Sequence, residues 1–282
     1  VGLFDATVRT IPHQKFVGQI TTFWIIAVSG FRRYATYRQA TVAGTFTNTI
    51  FGFLRCYLFL AVAGGAVVGG YTPEQLATFV WVAQGLLAVV LLWGPPELAD
   101  RIRTGEVVSD LLRPIDPVHS MLAADLGRAW HAVLTRCVPP VLVGMLFFDL
   151  YLPVRWHTPP LFAVSVVLAV VITFCCRFLV NCTAYWLLDV RGPISLWTLG
   201  SGVVAGLYFP LRFLPEPALL SLWLLTPLPS LFQAPLDVLV ERDATPVQFG
   251  IVALQGLWAA IMLLLCRVVQ RRAERRLVIQ GG

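Results

Sequence analysis

Lysine is all but missing from this 282-residue sequence: Lys15 stands against 20 arginines. A phosphate-cradling loop of the form G-x-x-x-x-G-K-[ST] needs a lysine after glycine, and Lys15 follows Gln14, so the sequence as given cannot hydrolyse nucleotide. Histidine is also sparse. His13, His119, His131 and His157 are scattered, with no H-E-x-x-H and no pair four residues apart; G-x-S-x-G is missing too. Metalloprotease and serine-hydrolase chemistry therefore lack their minimum parts, and neither catalytic residues nor a metal site is expected. The six cysteines form no C-x-x-C and fall in or beside apolar runs, as small apolar side chains do. Charged residues make up 13%, against about 25% in soluble domains. That excludes an ordinary soluble fold, and the net charge of +6 bears on membrane orientation, with no nucleic-acid partner expected.

What fills the sequence is apolar: 57% hydrophobic residues and a mean hydropathy of +0.76. Uncharged runs at 76–94 and 247–266 each reach the roughly 20 residues that carry a helix across about 30 Å of hydrocarbon. Alternating strands of a β-barrel are not visible. The reading is an all-α integral membrane protein with six transmembrane helices, at about 45–69, 76–94, 128–148, 160–188, 194–211 and 247–266. No cleavable signal is expected, since VGLFDATVRTIPHQKF lacks a basic region followed by an apolar one and a small-residue cleavage site. FVGQITTFWIIAVSG (16–30) covers only about 22 Å as a helix; followed by Arg32, Arg33 and Arg38, it is expected to lie at the interface as an N-terminal connecting helix. Domain limits follow: 1–44 for this segment and 45–282 for the transmembrane domain.

Arginine sets the orientation. Segments 31–44, 95–120, 189–193 and 267–282 hold 12 arginines together, and 70–75, 149–159 and 212–246 hold three. The first set, with both termini, is expected in the cytoplasm. This bears on 213–240, where the uncharged run from Pro217 to Leu236 is long enough to cross. Prolines 215, 217, 227, 229 and 235 break a helix, and a crossing here would strand RRAERR outside. A re-entrant hairpin between spans five and six is expected instead, turning near Thr226-Pro227-Leu228-Pro229. Such backbone must lie against protein or line a cavity.

The longest connection on the cytoplasmic side, from Pro95 to Pro117, is rich in charge. In ELADRIRTG, Leu98 and Ile102 are four apart; in EVVSDLLRP, Val108, Leu111 and Leu112 repeat at i, i+3, i+4. Each piece forms a short amphipathic helix with Gly105 as the joint, suited to docking on a soluble partner, or it is simply a solvated connecting helix. Three arginines, Arg55, Arg136 and Arg177, are expected within spans one, three and four at a similar depth, as a ring facing the pathway or as side chains reaching back to the interface. No acid is expected at mid-membrane to match them, which favours an anionic, zwitterionic or amphiphilic cargo. Asp125 and Arg128 are expected to pair near the water boundary. Trp197, Tyr208, Phe209, Phe213 and Trp223 are placed around the outer end of span five, as belt or packing residues or, in part, an outer gate. Gly64, Gly65, Gly69 and Gly70, and Gly202 with Gly206, suit close helix contact, the last pair at a dimer seam.

The pattern I-x-x-G-x-x-x-x-x-L-L-x-P (Ile102, Gly105, Leu111, Leu112, Pro114) resembles membrane subunits of the ABC-2 class of ATP-binding-cassette exporters. Gly206, Phe209-Pro210-Leu211, Phe213-Leu214-Pro215 and Thr226-Pro227 resemble that family's span-five end and re-entrant segment. The likeness runs from about Arg32 onward and is nearest to the two-permease antibiotic, multidrug or viologen branch. It implies that 96–117 holds a coupling helix in which Glu97, Asp100, Arg101, Arg103, Glu106, Asp110 and Arg113 orient a contact with a cytoplasmic ATPase subunit, while Leu98, Ile102, Leu111 and Leu112 supply its burial. It further implies two ATPase subunits carrying ATP and Mg, a second permease of the same or a related chain, a lipid surround and a bacterial inner membrane. The competing classes are an ion-coupled secondary transporter, which should show mid-membrane acids and inverted repeats, and a membrane enzyme of lipid metabolism.

Overall fold

A computed structural model describes residues 12–112, 115–187 and 189–275; of the expected coupling residues, Arg113 lies outside these, as does the Leu111 side chain. Among the described residues the chain is helical throughout, with α1 Pro12–Ala35, α2 Arg38–Ala63, α3 Pro73–Leu91, α4 Glu97–Thr104, α5 Val107–Leu111 and α6 Pro117–Phe147. There follow α7 Thr158–Tyr185, α8 Arg191–Val204, α9 Glu216–Leu225, α10 Gln233–Leu239 and α11 Thr245–Glu274. Five of them, α2, α3, α6, α7 and α11, are long and apolar enough to cross a membrane. The helix starts are written in local chemistry. Thr72 and Gln75 form a reciprocal capping box before Pro73, and Asp116 accepts from the His119 amide before Pro117. α6 thus begins well before the expected 128, because Asp125 and Arg128 are satisfied inside the protein rather than by water.

α3 is the central helix, buried from Leu76 to Leu86, whereas α2 leaves Val42, Phe46, Leu54, Leu58 and Val62 exposed. α1 is one continuous helix through Arg32 and Arg33, and α6 takes one of its faces. The contact is backbone-close and antiparallel: Gly30 meets Ala124 and Gly127 meets Ala27. A side-chain carbon on Gly127 would stand 1.8 Å from the Ala27 carbonyl oxygen. Phe31 closes the crossing edge-on to His131, at 5.3 Å.

Two wide π-helical turns interrupt the bundle, at 87–91 in α3 and 133–137 in α6. The second precedes Pro139 and Pro140, which have no N–H to offer the preceding turn. The Thr135 carbonyl freed in this way accepts from Thr45 Oγ1 of α2 at 2.7 Å. At the first, Arg128 donates to the carbonyls of Ala88 at 2.7 Å and Val89 at 2.9 Å, and α3 then ends on Leu91 at φ 50°.

The expected fifth span is short. α8 has 14 residues, about 21 Å, because the chain turns sharply at Gly206 (φ 81°), a backbone shape that glycine adopts without strain. A pair of short helices follows, α9 and α10, joined by a turn at Thr226–Ser230 where the sequence placed one. The backbone here is met by protein: Gln255 of α11 donates to the Ser230 carbonyl at 2.8 Å while accepting from Ser165 Oγ of α7 at 2.6 Å, and the Gln233 amide donates to the Ala205 carbonyl. Residues Gln233 to Val238 are all buried.

At the end of the bundle away from the arginine-rich connections, Glu241 ties the 149–157 connection to the α10–α11 turn. It accepts from Thr158 Oγ1 at 2.5 Å, Tyr151 Oη at 2.7 Å and the Arg155 amide at 2.8 Å. Burial alone would raise its carboxyl, but the bonds from Thr158, Tyr151 and the Arg155 amide outweigh it and hold the group below the ordinary carboxylate value. The Tyr151 phenol is pushed up to about 12 by burial and by Glu241, and so stays a donor. A depressed carboxyl contributes stability that is complete above its unfolded value, about 4.3, and lost as pH falls through the folded one. Thermal unfolding followed from pH 7 downward should therefore weaken below about 4.3, with a flatter acid limb in Glu241→Gln. Equal acid limbs in the two chains would refute the assignment.

Candidate coupling segment and translocation path

The connection between α3 and α6 folds as two short helices, α4 and α5, hinged at Gly105, whose amide donates to the Ile102 carbonyl. It is held against the bundle from several sides. The Ala99 amide at the start of α4 donates to Asn181 Oδ1 of α7 at 3.0 Å; Arg33 of α1 reaches Glu97 at 3.2 Å; Arg101 of α4 reaches Asp110 of α5 at 2.6 Å. Leu98 and Val107 are buried in the chain's own core and Ile102 packs against it. Leu98 thus belongs to the inner face and is not offered to a partner. The outer face carries Asp100, Arg103, Glu106 and Leu112, the last 81% exposed. A firmly braced segment with a charged outer face and one protruding leucine can receive a push and pass it inward.

The three arginines expected as a ring are dispersed. α2 begins at Arg38, so Arg55 lies about 26 Å along it, where its guanidinium donates to Gln84 Oε1 at 3.1 Å and to the carbonyls of Leu207 at 2.5 Å and Tyr208 at 3.1 Å. These carbonyls are left open by the turn at Gly206, so Arg55 acts as a cap for the end of α8. Behind it, Gln84 continues to Asn48, forming a buried polar line across α2 and α3. Arg136 reaches the Ala40 carbonyl in the first turn of α2, at 2.6 Å. Arg177 meets Asp125 at 2.7 Å, and Asp125 holds Arg128 at the same distance, as expected for that pair. The expectation that no acid matches these arginines is therefore corrected: Asp125 serves two of the chain's buried guanidinium groups.

A second acid was hidden in the hairpin. Asp237 is fully buried and accepts from Tyr71 Oη, from Gln233 Nε2 at 2.8 Å and from Arg212 at 3.2 Å. Arg212 also holds Asp243, and Arg242 holds Asp243 and the Gly69 carbonyl. This cluster joins the α2–α3 turn, the end of α8 and the hairpin at the end away from the coupling segment. Its members are far apart in sequence, and only the fixed uncharged run ending at Leu236, just before an aspartate, hinted at it.

The aromatic group divides in two. Trp197 donates to the Leu92 carbonyl at 2.7 Å and Tyr208 stacks on Trp93 at 6.3 Å, which puts both beside the end of α3 that leads into α4. Phe213 lies against Phe59 and the Gly69 turn, Trp223 is buried against the hairpin, and Phe209 is half-buried beside it. Gly202 faces Tyr208 and Trp93 and Gly206 faces Gln233, so this pair serves contacts within the chain rather than a seam. Gly64, Gly65, Gly69 and Gly70 build the turn after α2. Among the described residues no group of three or more His, Cys, Asp or Glu side chains is placed to hold a metal ion.

No curated protein and no solved structure matched the chain. Residues 46–281, from the third turn of α2 onward, match the family described as ABC-2 family transporter protein. With five helices long and apolar enough to cross a membrane, the chain belongs to the ABC-2 transporter family and is a multi-pass membrane protein.

Proposed function

We propose that this membrane permease of an ABC transporter works as an exporter subunit, forming half of the path for an amphiphilic small molecule, drug or lipid-like cargo. A second permease, the same chain or a related one, supplies the other half. Two separate ATPase subunits bind ATP and Mg and hydrolyse the nucleotide. The setting is a bacterial cytoplasmic membrane with both termini in the cytoplasm. One observation carries the reading: α4 is tied to α1 and α7, and α5 to α4, while Asp100, Arg103, Glu106 and Leu112 face outward. In mechanism, closure of the ATPase pair pushes this outer face, and the bracing bonds carry the motion into the crossings. Cargo enters between the two permeases from the cytoplasmic side or its leaflet.

The outer-face charges give the test. Asp110 is unsuited to reversal because Arg101 uses it to hold the two short helices together. Reversing the exposed pair in Asp100→Arg with Glu106→Arg is expected to weaken co-purification of a soluble ATPase by about tenfold or more, since charge complementarity sets register at such contacts. Folding should be unaffected. Undiminished ATPase recovery in the reversed chain, or transport by the chain with no ATPase bound, overturns the proposal; the latter would favour the ion-coupled class.

A further inference from the structure

A cavity of about 450 Å³ lies at the arginine-rich end, bordered by the end of α1, the segment 97–110, the first turns of α6 and the C-terminal parts of α7 and α11. That is within the range of small-ligand sites. Its apolar side is Ile26, Met121, Phe174 and Phe178, and its charged side is made of ion pairs: Arg33 with Glu97, Arg101 with Asp110, and Arg128 with Asp125. These pairs alone would leave it neutral. Asp125, however, is shared with Arg177, which lines an adjoining cavity of about 80 Å³ together with Tyr34 and Asn181. One carboxylate therefore serves two guanidinium groups, and the pair of cavities carries one positive charge in surplus.

One buried polar atom is also left over: Arg177 Nε has no hydrogen-bond partner among the described residues. An unpaired buried donor is costly, so it fits a ligand able to supply an acceptor. A phosphodiester oxygen is such an acceptor, and the apolar side suits the first carbons of acyl chains.

We infer that this cavity binds the head group of one anionic glycerophospholipid, with its phosphate toward the arginines and its chains remaining in the bilayer. The lipid sits between α1 and α4, where it completes the contact that Arg33 and Glu97 make. Binding needs neither the ATPase nor cargo, so this inference stands or falls separately from the transport reading.

The test uses the purified full chain, stripped of lipid and titrated with phosphatidylglycerol, phosphatidylcholine or soluble glycerol 3-phosphate, with native mass spectrometry counting what stays bound. One phosphatidylglycerol per chain is expected, held about tenfold more tightly than phosphatidylcholine, the scale of one charge-assisted hydrogen bond. Ser120→Trp, which fills the cavity, should abolish this retention. Arg33→Gln, at an exposed position that leaves the fold intact, should weaken it by about tenfold, and Arg103→Gln, a cation at the same end outside the cavity, should leave it unchanged. Equal retention of the two lipids, equal loss in the Arg33 and Arg103 variants, or retention in Ser120→Trp overturns the site. Glycerol 3-phosphate binding as tightly as the lipid would also overturn it, leaving a soluble-anion site instead.

Discussion

Asp237→Ala is expected to lower the stability of the folded chain by about 3–5 kcal/mol, the cost of removing one partner from a buried ion pair. The magnitude follows from what the change leaves behind. Tyr71 Oη and Gln233 Nε2 both lose their carboxylate acceptor, and Arg212 keeps only Asp243. None of these groups can turn easily to water, since Tyr71 and Gln233 are fully buried. The loss should be read as a lower unfolding temperature in detergent, followed by tryptophan fluorescence. Replacing both partners, Asp237→Leu with Arg212→Leu, should recover part of it, because two apolar side chains leave no unpaired charge. If the single and double variants unfold with the parent, the cluster is not what holds the hairpin to the α2–α3 turn.

Gly127→Leu should separate α1 from α6 without unfolding the rest. Any side chain at this position points at the α1 backbone, which cannot step aside as a flexible side chain would. Overpacking usually costs about 1–3 kcal/mol, and a backbone obstacle puts this case at the upper end. Backbone amides of residues 20–35 should then exchange their hydrogens about a hundredfold faster, while those of 76–86 in α3 keep their protection. Gly30→Leu, aimed at the Ala124 carbonyl from the other side, should do the same. Unchanged exchange over 20–35 in both variants would show that α1 does not depend on this crossing.

The features legible in the sequence are those with a local cause. Apolar length gave six crossings, of which five match helices long and apolar enough to cross; prolines 227 and 229 marked the hairpin turn, Gly105 marked the hinge, and three-residue spacing paired Asp125 with Arg128. The rest depends on partners far along the chain. Tyr71 and Asp237 are separated by 166 positions and Arg177 and Asp125 by 52, so nothing in either neighbourhood announces the pairing. Arg55, Arg136 and Arg177 looked equivalent because each interrupts an apolar run. They differ in which freed carbonyl or carboxylate lies within reach, and that is set by helix starts that charge and hydropathy misplace. α6 illustrates this: Asp125 and Arg128 look like a water boundary by composition, yet they neutralise each other inside a helix that began at Pro117. Small residues 27, 30 and 127 gave no warning of a backbone contact, since glycine and alanine are common in apolar helices.

The wide turn at the foot of α3 has a mechanical meaning. Two of its carbonyls are clasped by Arg128, so α3 is latched to α6, and Asn181 latches α4 to α7. A force applied at α4 would thus be shared by three long helices at once, and the bundle would answer as a block rather than as a single rod.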